Sequence, residues 1–157
     1  MPLKKTKVMA FGTFDILHYG HVKLLEQARA LGGNNVELIV VIARDSTVIK
    51  EKGHNPIFPE EERLALIESL KVVDAVYLGS KGPDHLKIVE KCKPDIIALG
   101  YDQKIDSEYL KKELEKRGLK NIKIYRLKKY GTPGLNSSSK ILDKLEERIQ
   151  RLLRFYS

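Results

Sequence analysis

Two histidines three residues apart, His18 and His21, lie in GTFDILHYGH (residues 12–21), directly after an apolar run, KVMAF, that reads as a strand. Imidazoles at that spacing can donate hydrogen bonds to an anion, exchange protons or ligate a metal. Gly12 permits a tight exit from the strand. A helix starting near Tyr19 would turn its unpaired N–H groups and positive dipole end toward an anionic group. His18 and His21 would then share one side of the first helical turn, with Gly20 between them leaving the backbone open to a ligand. A helix N-terminus disfavours imidazolium, so the pair is expected to act mainly as neutral donors. Zinc is an alternative, but a closed zinc site needs a full ligand set, and Cys92, His54 and His85 fall in no ligand spacing with the pair. The phosphate motifs GxxxxGK[ST] and GxGxxG are absent.

The elements that must position these residues follow from hydrophobic periodicity. Strands are expected near residues 7–11, 36–43, 75–78, 95–99 and 122–127, several of them apolar throughout, as buried parallel strands are. Helical patterns run over 19–31, 59–70, 83–91, 107–117 and 137–155. The β-then-α alternation predicts an α/β fold: one domain over residues 1–157, a doubly wound parallel sheet of about five strands with right-handed crossovers and flanking helices. Such sheets bind ligands beyond the carboxyl ends of their strands. The loops concerned read GTFDILHYGH, ARDST, LGSKGPDH, LGYDQK and KKYGTPGLNSSSK, and they hold most of the unusual chemistry. The last helix carries Ile141, Leu142, Leu145, Ile149, Leu152 and Leu153 on one stripe, most of which is expected to pack on the sheet, with length left for a homodimer contact.

Composition narrows the partners. The net charge is +8, from 29 Lys and Arg against 21 Asp and Glu, which suggests an anionic partner: nucleic acid, a membrane surface or a small phosphorylated molecule. The excess lies between Lys111 and Lys129, where only Glu113 and Glu115 oppose the basic residues. A solvated helix face accounts for most of that stretch, and heavy Lys and Glu use also resembles thermophile composition. One cysteine, Cys92, rules out an intramolecular disulfide and fits a reducing cytoplasm. No apolar stretch long enough for a signal peptide or a membrane helix is visible.

GTFDILHYGH, with ARDSTVIKEK, PEEERLALIESLKVVD, KPDIIALGYDQ and SSSKI, resembles the cytidylyltransferase-like nucleotidyltransferases over almost the whole chain. Length, ARDSTVIKEKGHNPIFPEEER and LGYDQ look most like the archaeal-type FAD synthetases within that superfamily, which have a Rossmann-like fold and transfer AMP from ATP to FMN with release of pyrophosphate. The resemblance implies that His18 and His21 contact the triphosphate and stabilise the transition state, that Thr13 and Phe14 line the nucleotide site, and that Tyr19 and Gly20 complete it. It places a lysine that neutralises the α-phosphate at Lys52 or Lys50, on a mobile loop, with Lys52 preferred. Asp15 would orient a histidine or cap the turn, and Arg63 matches a family arginine or pairs with Glu60 or Glu62. Asp102 would contact adenosine or help hold Mg²⁺, which with any other divalent cation is expected mainly on triphosphate oxygens. Ser137 and Ser138, with Ser139, could grip a phosphate, and Tyr130 could stack on adenine or isoalloxazine. The cytidylyltransferases carry RTEGIST where this chain has KKYGTPGLNSSS, so their arginine is absent and Lys128 or Lys129 is the candidate replacement.

Two rival readings stand beside ATP:FMN adenylyl transfer. GTFDILHYGH also fits a CTP-dependent cytidylyltransferase acting on glycerol 3-phosphate or a similar alcohol phosphate. A basic nucleic-acid-binding module would use the stretch from Lys111 to Lys129 but leaves the histidine pair without a purpose.

Overall fold

A computed structural model describes residues 2–156. Five strands, β1 (Thr6–Gly12), β2 (Val36–Ile42), β3 (Ala75–Leu78), β4 (Ile96–Leu99) and β5 (Lys123–Arg126), form one sheet in the order β3-β2-β1-β4-β5. Every pairing is parallel. The chain builds outward from β1 through β2 to β3, then crosses back to place β4 on the other side of β1. The order therefore reverses at the β1–β4 seam, where this class of sheet opens a crevice at its carboxyl edge.

Side-chain alternation along the central strands divides the interior in two. Val8 and Ala10 of β1, with Leu38, Val40 and Ile42 of β2, face Leu25 and Ala28 of α1 (Tyr19–Ala30) and Ile67 of α3 (Glu60–Glu68). Met9, Ile39 and Val41, with Ile97 and Leu99, face Ile88, Val89 and Cys92 of α4 (Lys87–Cys92) and Leu110 and Leu114 of α5 (Ser107–Lys116). Period-2 patterning in strands that are buried on both sides produces two apolar faces, hence the continuous apolar runs in the sequence.

The expected strands lie within a residue or so of those observed, as do most helix bounds. Three differences carry physical content. The helix expected from residue 83 starts at Lys87, because Asp84 Oδ1 accepts the Leu86 N–H at 3.1 Å and holds the chain in a turn. The segment expected as a mobile loop after β2 is instead a helix, α2 (Asp45–Lys52), ending at Gly53 with φ 76°. Its Ser-Thr-Val-Ile content is poor in helix propensity, and its capping acceptor comes from another element: Glu60 Oε2 takes the Asp45 N–H at 2.7 Å. The third difference is α6 (Ser138–Tyr156), none of whose residues is buried, so its apolar stripe does not pack on the sheet. Among the described residues no helix is long and apolar enough to cross a membrane.

Candidate active site

β1 delivers the chain to the reversal point at Gly12, and the next six residues form a compact loop rather than a simple turn. Phe14 adopts φ 54° and folds its ring back into the core. A Cβ at Gly12 would lie 2.6 Å from that ring, so glycine is required there for Phe14 to return under the strand end. The ring meets His21 edge-on at 5.3 Å, which leaves only the Phe14 backbone free to face a ligand.

His18 is the N-cap residue of α1. Its backbone N–H donates to His21 Nδ1 at 3.2 Å, so Nδ1 of His21 is unprotonated and the neutral ring carries its proton on Nε2. The two rings stack with centroids 3.7 Å apart and 29° between planes. Burial, then the charge His18 would carry, then Lys52, depress the His21 pKa from 6.5 to about 3. Burial lowers that of His18 as well. The pair is thus neutral at physiological pH, and burial rather than the helix N-terminus is the leading cause. His18 Nδ1 is buried and lacks a hydrogen-bond partner. Gly20 makes this packing possible, since a Cβ there would meet His18 Cε1 at 2.9 Å and the Tyr130 carbonyl oxygen at 3.1 Å.

The carboxyl-edge loops close around this pair. Asp15 neither orients a histidine nor caps the helix; its two carboxylate oxygens accept the N–H groups of Ile57 and Phe58 at 2.6 and 3.1 Å, stapling the segment before α3 to the first loop. Arg63 is wholly buried and pairs with neither Glu60 nor Glu62. It donates to the carbonyls of Thr13, Ala43 and Phe58 and to Asp45 Oδ1, at 2.7 to 2.9 Å, so one guanidinium ties the ends of β1 and β2 to the starts of α2 and α3. Thr13 is held through its backbone by this contact. Lys50 and Lys52 both lie exposed on the last turn of α2, but Lys52 is the one whose charge acts on His21.

After β4, Asp102 is exposed in a turn organised by its neighbour Gln103, which accepts from the Gly100 N–H at 2.8 Å and donates to the Phe11 carbonyl at 3.0 Å. Arg126 at the end of β5 pins the same turn through the carbonyls of Gly100, Gln103 and Ile105. Lys129 Nζ sits 5.1 Å from the Tyr101 ring centroid, bringing the last loop over that turn. Lys128 is engaged through its backbone, which exchanges two hydrogen bonds with the Gln27 side chain of α1. Tyr130 is half exposed and rests its carbonyl on Gly20; Tyr19 is exposed. Ser137 Oγ accepts the Lys140 N–H at 3.3 Å as the cap of α6, and Ser138 Oγ donates to the Ile16 carbonyl at 3.3 Å. Asn136, before them, buries an Oδ1 with no partner. Sequence reading passed over Gln27, Gln103, Arg126 and Asn136, because amide pairings and carbonyl clamps across a fold leave no local spacing to detect.

Across the sheet from the histidines lies a cavity of about 340 Å³ at the same carboxyl edge. Its floor is Phe11, Val41, Ile97 and Leu99, its far wall Val89 and Leu110, and Arg44, His85 and Gln103 supply polar groups. An apolar cleft of that size with a few convergent polar groups is typical of small-molecule sites. Among the described residues no three His, Cys, Asp or Glu groups converge, and Cys92 is buried against the other face on α4. The basic stretch is partly spent internally: Arg117 pairs with Asp84 and Glu90, Lys116 with Glu113, and Arg126 with three carbonyls.

Comparison with known proteins agrees with this geometry. A family model described as cytidylyltransferase-like matches residues 9–144. An FAD synthase of Aciduliprofundum boonei is 52% identical over 146 residues, covering 93% of this chain and 94% of that one. An FAD synthase of Methanobrevibacter smithii is 52% identical over 141 residues, covering 90% and 91%. A crystal structure described as the lipopolysaccharide core biosynthesis protein from Thermoplasma volcanium superposes with a TM-score of 0.75 at 50% identity, over 82% of this chain and all of that one. With its parallel sheet, its reversal at β1 and its GTFDILHYGH loop, the chain belongs to the cytidylyltransferase-like family.

Proposed function

We propose that this protein transfers the AMP moiety of ATP to FMN, giving FAD and pyrophosphate. The observation that carries the reading is the juxtaposition at one sheet edge of a neutral histidine pair on a helix N-terminus with a mostly apolar cavity of about 340 Å³. Relatives about half identical over nine-tenths of the chain bear the name FAD synthase. ATP is placed with its phosphates on the histidine side, against His18, His21 and the start of α6, and its adenosine toward Asp102 and Tyr130. The isoalloxazine of FMN is placed in the cavity, whose apolar floor suits a fused ring system and exceeds what glycerol 3-phosphate would fill.

A phosphate oxygen of FMN attacks the α-phosphorus in line as the bond from that phosphorus to the bridging oxygen breaks, and pyrophosphate leaves with the electron pair. The attacking oxygen is already anionic, so no strong base is required. Catalysis is positioning and charge stabilisation. His21 donates from Nε2 toward the non-bridging oxygens, because its Nδ1 is committed to the His18 N–H. His18 supplies the second donor, and Thr13 and Gly20 present backbone to the phosphates. Lys52 supplies the positive charge opposite the α-phosphate, with Lys129 the candidate for the charge that the family's arginine provides elsewhere. Ser137 and Ser138 at the start of α6 add hydroxyl and N–H donors. Because no carboxylate cluster converges among the described residues, the divalent cation, most simply Mg²⁺, is assigned to the metal–ATP substrate rather than to a resident site. ATP, FMN and the single unpaired Cys92 fit a cytoplasmic setting.

The deciding assay measures pyrophosphate release with Mg²⁺ for ATP plus FMN and for CTP plus glycerol 3-phosphate in parallel, with the flavin product identified chromatographically. Release with the first pair together with FAD is expected; release only with the second would overturn the substrate assignment while leaving the family intact.

A further inference from the structure

We propose that Arg44, supported by Thr47 one turn further along α2, selects the acceptor: its guanidinium donates to the carbonyl edge of a flavin ring lying in the cavity across the sheet from the histidines. The inference rests on the reading of FMN as acceptor and names the side chains that would recognise its ring. Arg44 is the N-cap residue of α2. Its Nε donates to the Gly79 carbonyl at 2.7 Å, and its Nη1 to Glu60 Oε1 at 3.0 Å. Those two bonds fix the guanidinium between the end of β3 and the start of α3. Nη2 has no partner among the described residues, while the side chain lines the cavity and stays 21% exposed. A guanidinium anchored at two nitrogens and open at the third is a donor held in place before the ligand arrives.

Charge decides what that donor meets. On the cavity wall Arg44 and Lys104 are offset by Glu51, also on the wall, and by Glu60 against Arg44. A phosphate dianion would therefore find no excess of positive charge there, whereas a carbonyl oxygen needs only a donor. The floor of Phe11, Val41, Ile97 and Leu99 suits a flat fused ring. The pyrimidinedione side of isoalloxazine presents such a ring with acceptor oxygens at C2 and C4, and glycerol 3-phosphate has no counterpart to it. α2 supplies the orientation. Thr47 and Glu51 follow Arg44 at steps of three and four residues, so all three line the cavity from one helix face, and the Thr47 hydroxyl stands beside the guanidinium. Lys52 is about 100° further round the helix and is the residue whose charge acts on His21. One helix thus carries ring recognition on one side and the charge for the phosphates on the next, which directs the flavin ring into the cavity and its phosphate toward the histidines.

The test separates ring from phosphate by using riboflavin, which keeps the ring and lacks the attacking phosphate, so that it forms a complex with enzyme and Mg–ATP without reacting. Riboflavin affinity is read from flavin fluorescence in the presence of Mg–ATP, and KM for FMN and for ATP from FAD formation, for the natural chain, Arg44→Lys and Thr47→Val, with circular dichroism of each to verify the fold. Lysine keeps a cation for Glu60 but cannot bond Gly79, Glu60 and a ligand together. Arg44→Lys should weaken riboflavin by about tenfold to a hundredfold, the scale for a hydrogen bond to a charged group, and raise KM for FMN by a similar factor with KM for ATP within about twofold. Thr47→Val, which nearly preserves shape, should weaken riboflavin a few-fold and so carries the test should the lysine variant fail to fold. Weaker FMN with unchanged riboflavin in Arg44→Lys would place Arg44 on the phosphate and overturn the proposal. So would a rise confined to KM for ATP, riboflavin affinity indifferent to both substitutions, or a natural chain that does not bind riboflavin. FAD formation by the natural chain judges the reaction separately: FAD made with Arg44 indifferent sinks this assignment alone, whereas riboflavin bound through Arg44 without FAD formation upholds the flavin contact and sinks the reaction.

Discussion

The hydrogen bond from the His18 N–H to His21 Nδ1 can be separated by substitution from the donor role proposed for His21 Nε2. An asparagine at this position places its amide near Nδ1 and can still accept from the His18 N–H, but it carries nothing where Nε2 was. His21→Asn should therefore keep the helix start and lose the donor. Removing one preorganised donor costs about a hundredfold to a thousandfold in turnover, or about 3 to 4 kcal/mol of transition-state stabilisation. His21→Ala should lose the same rate and, with its capping acceptor gone, about 1 kcal/mol of stability besides. The acid limb of stability provides an independent reading. His21 binds a proton in the unfolded chain below about 6.5 but in the native state only below about 3. Between those values the unfolded state holds more protons, so stability rises with pH there, by up to about 1.4 kcal/mol per unit from this group, and its contribution is flat above the window. The depressed pKa of His18 acts in the same sense. Both variants should flatten the slope of denaturation midpoints measured between pH 4 and 6.5. A His21→Asn enzyme with natural turnover and an unchanged acid slope would refute the donor assignment and the buried neutral state together.

Three further expectations come from the same neighbourhood. Lys52→Ala should lower turnover at saturating ATP and FMN by at least about tenfold, whereas Lys50→Ala should leave it within about twofold, since only Lys52 acts electrostatically on His21; steady-state kinetics showing the reverse would transfer the role to Lys50. Arg63→Met should destabilise the fold by about 3 to 5 kcal/mol in urea titration, because it deserts Asp45 and three carbonyls in a fully buried place; a loss under about 1 kcal/mol would show that the clamp is dispensable. Gly20→Ala should cut ATP-dependent turnover with little loss of helix content by circular dichroism, since its methyl would meet the His18 ring at 2.9 Å; natural kinetics would mean that the ring has room to move.

What the sequence made legible were features with a local period or a contiguous motif. The central strands β1, β2 and β4 announced themselves because burial on both faces leaves nearly uninterrupted apolar runs, and the histidine loop because strand, glycine and helix start are adjacent in the chain. α2 stayed hidden for the opposite reason. Its own residues are weak helix formers, and its N–H cap is a glutamate fifteen positions away, so the information that makes it helical is tertiary. That matters for the site, because Lys52 stands on the end of a fixed helix whose other end is locked by Glu60 and Arg63, rather than on a loop free to choose its position.

The same distinction explains α6. Its stripe was visible as a helical period, but a period states only that one face is apolar and not what that face meets. The expectation that it meets the sheet assumed that every apolar stripe is answered within the chain. α1 and α3 cover one face of the sheet and α4 and α5 the other, and no residue of α6 is buried against either.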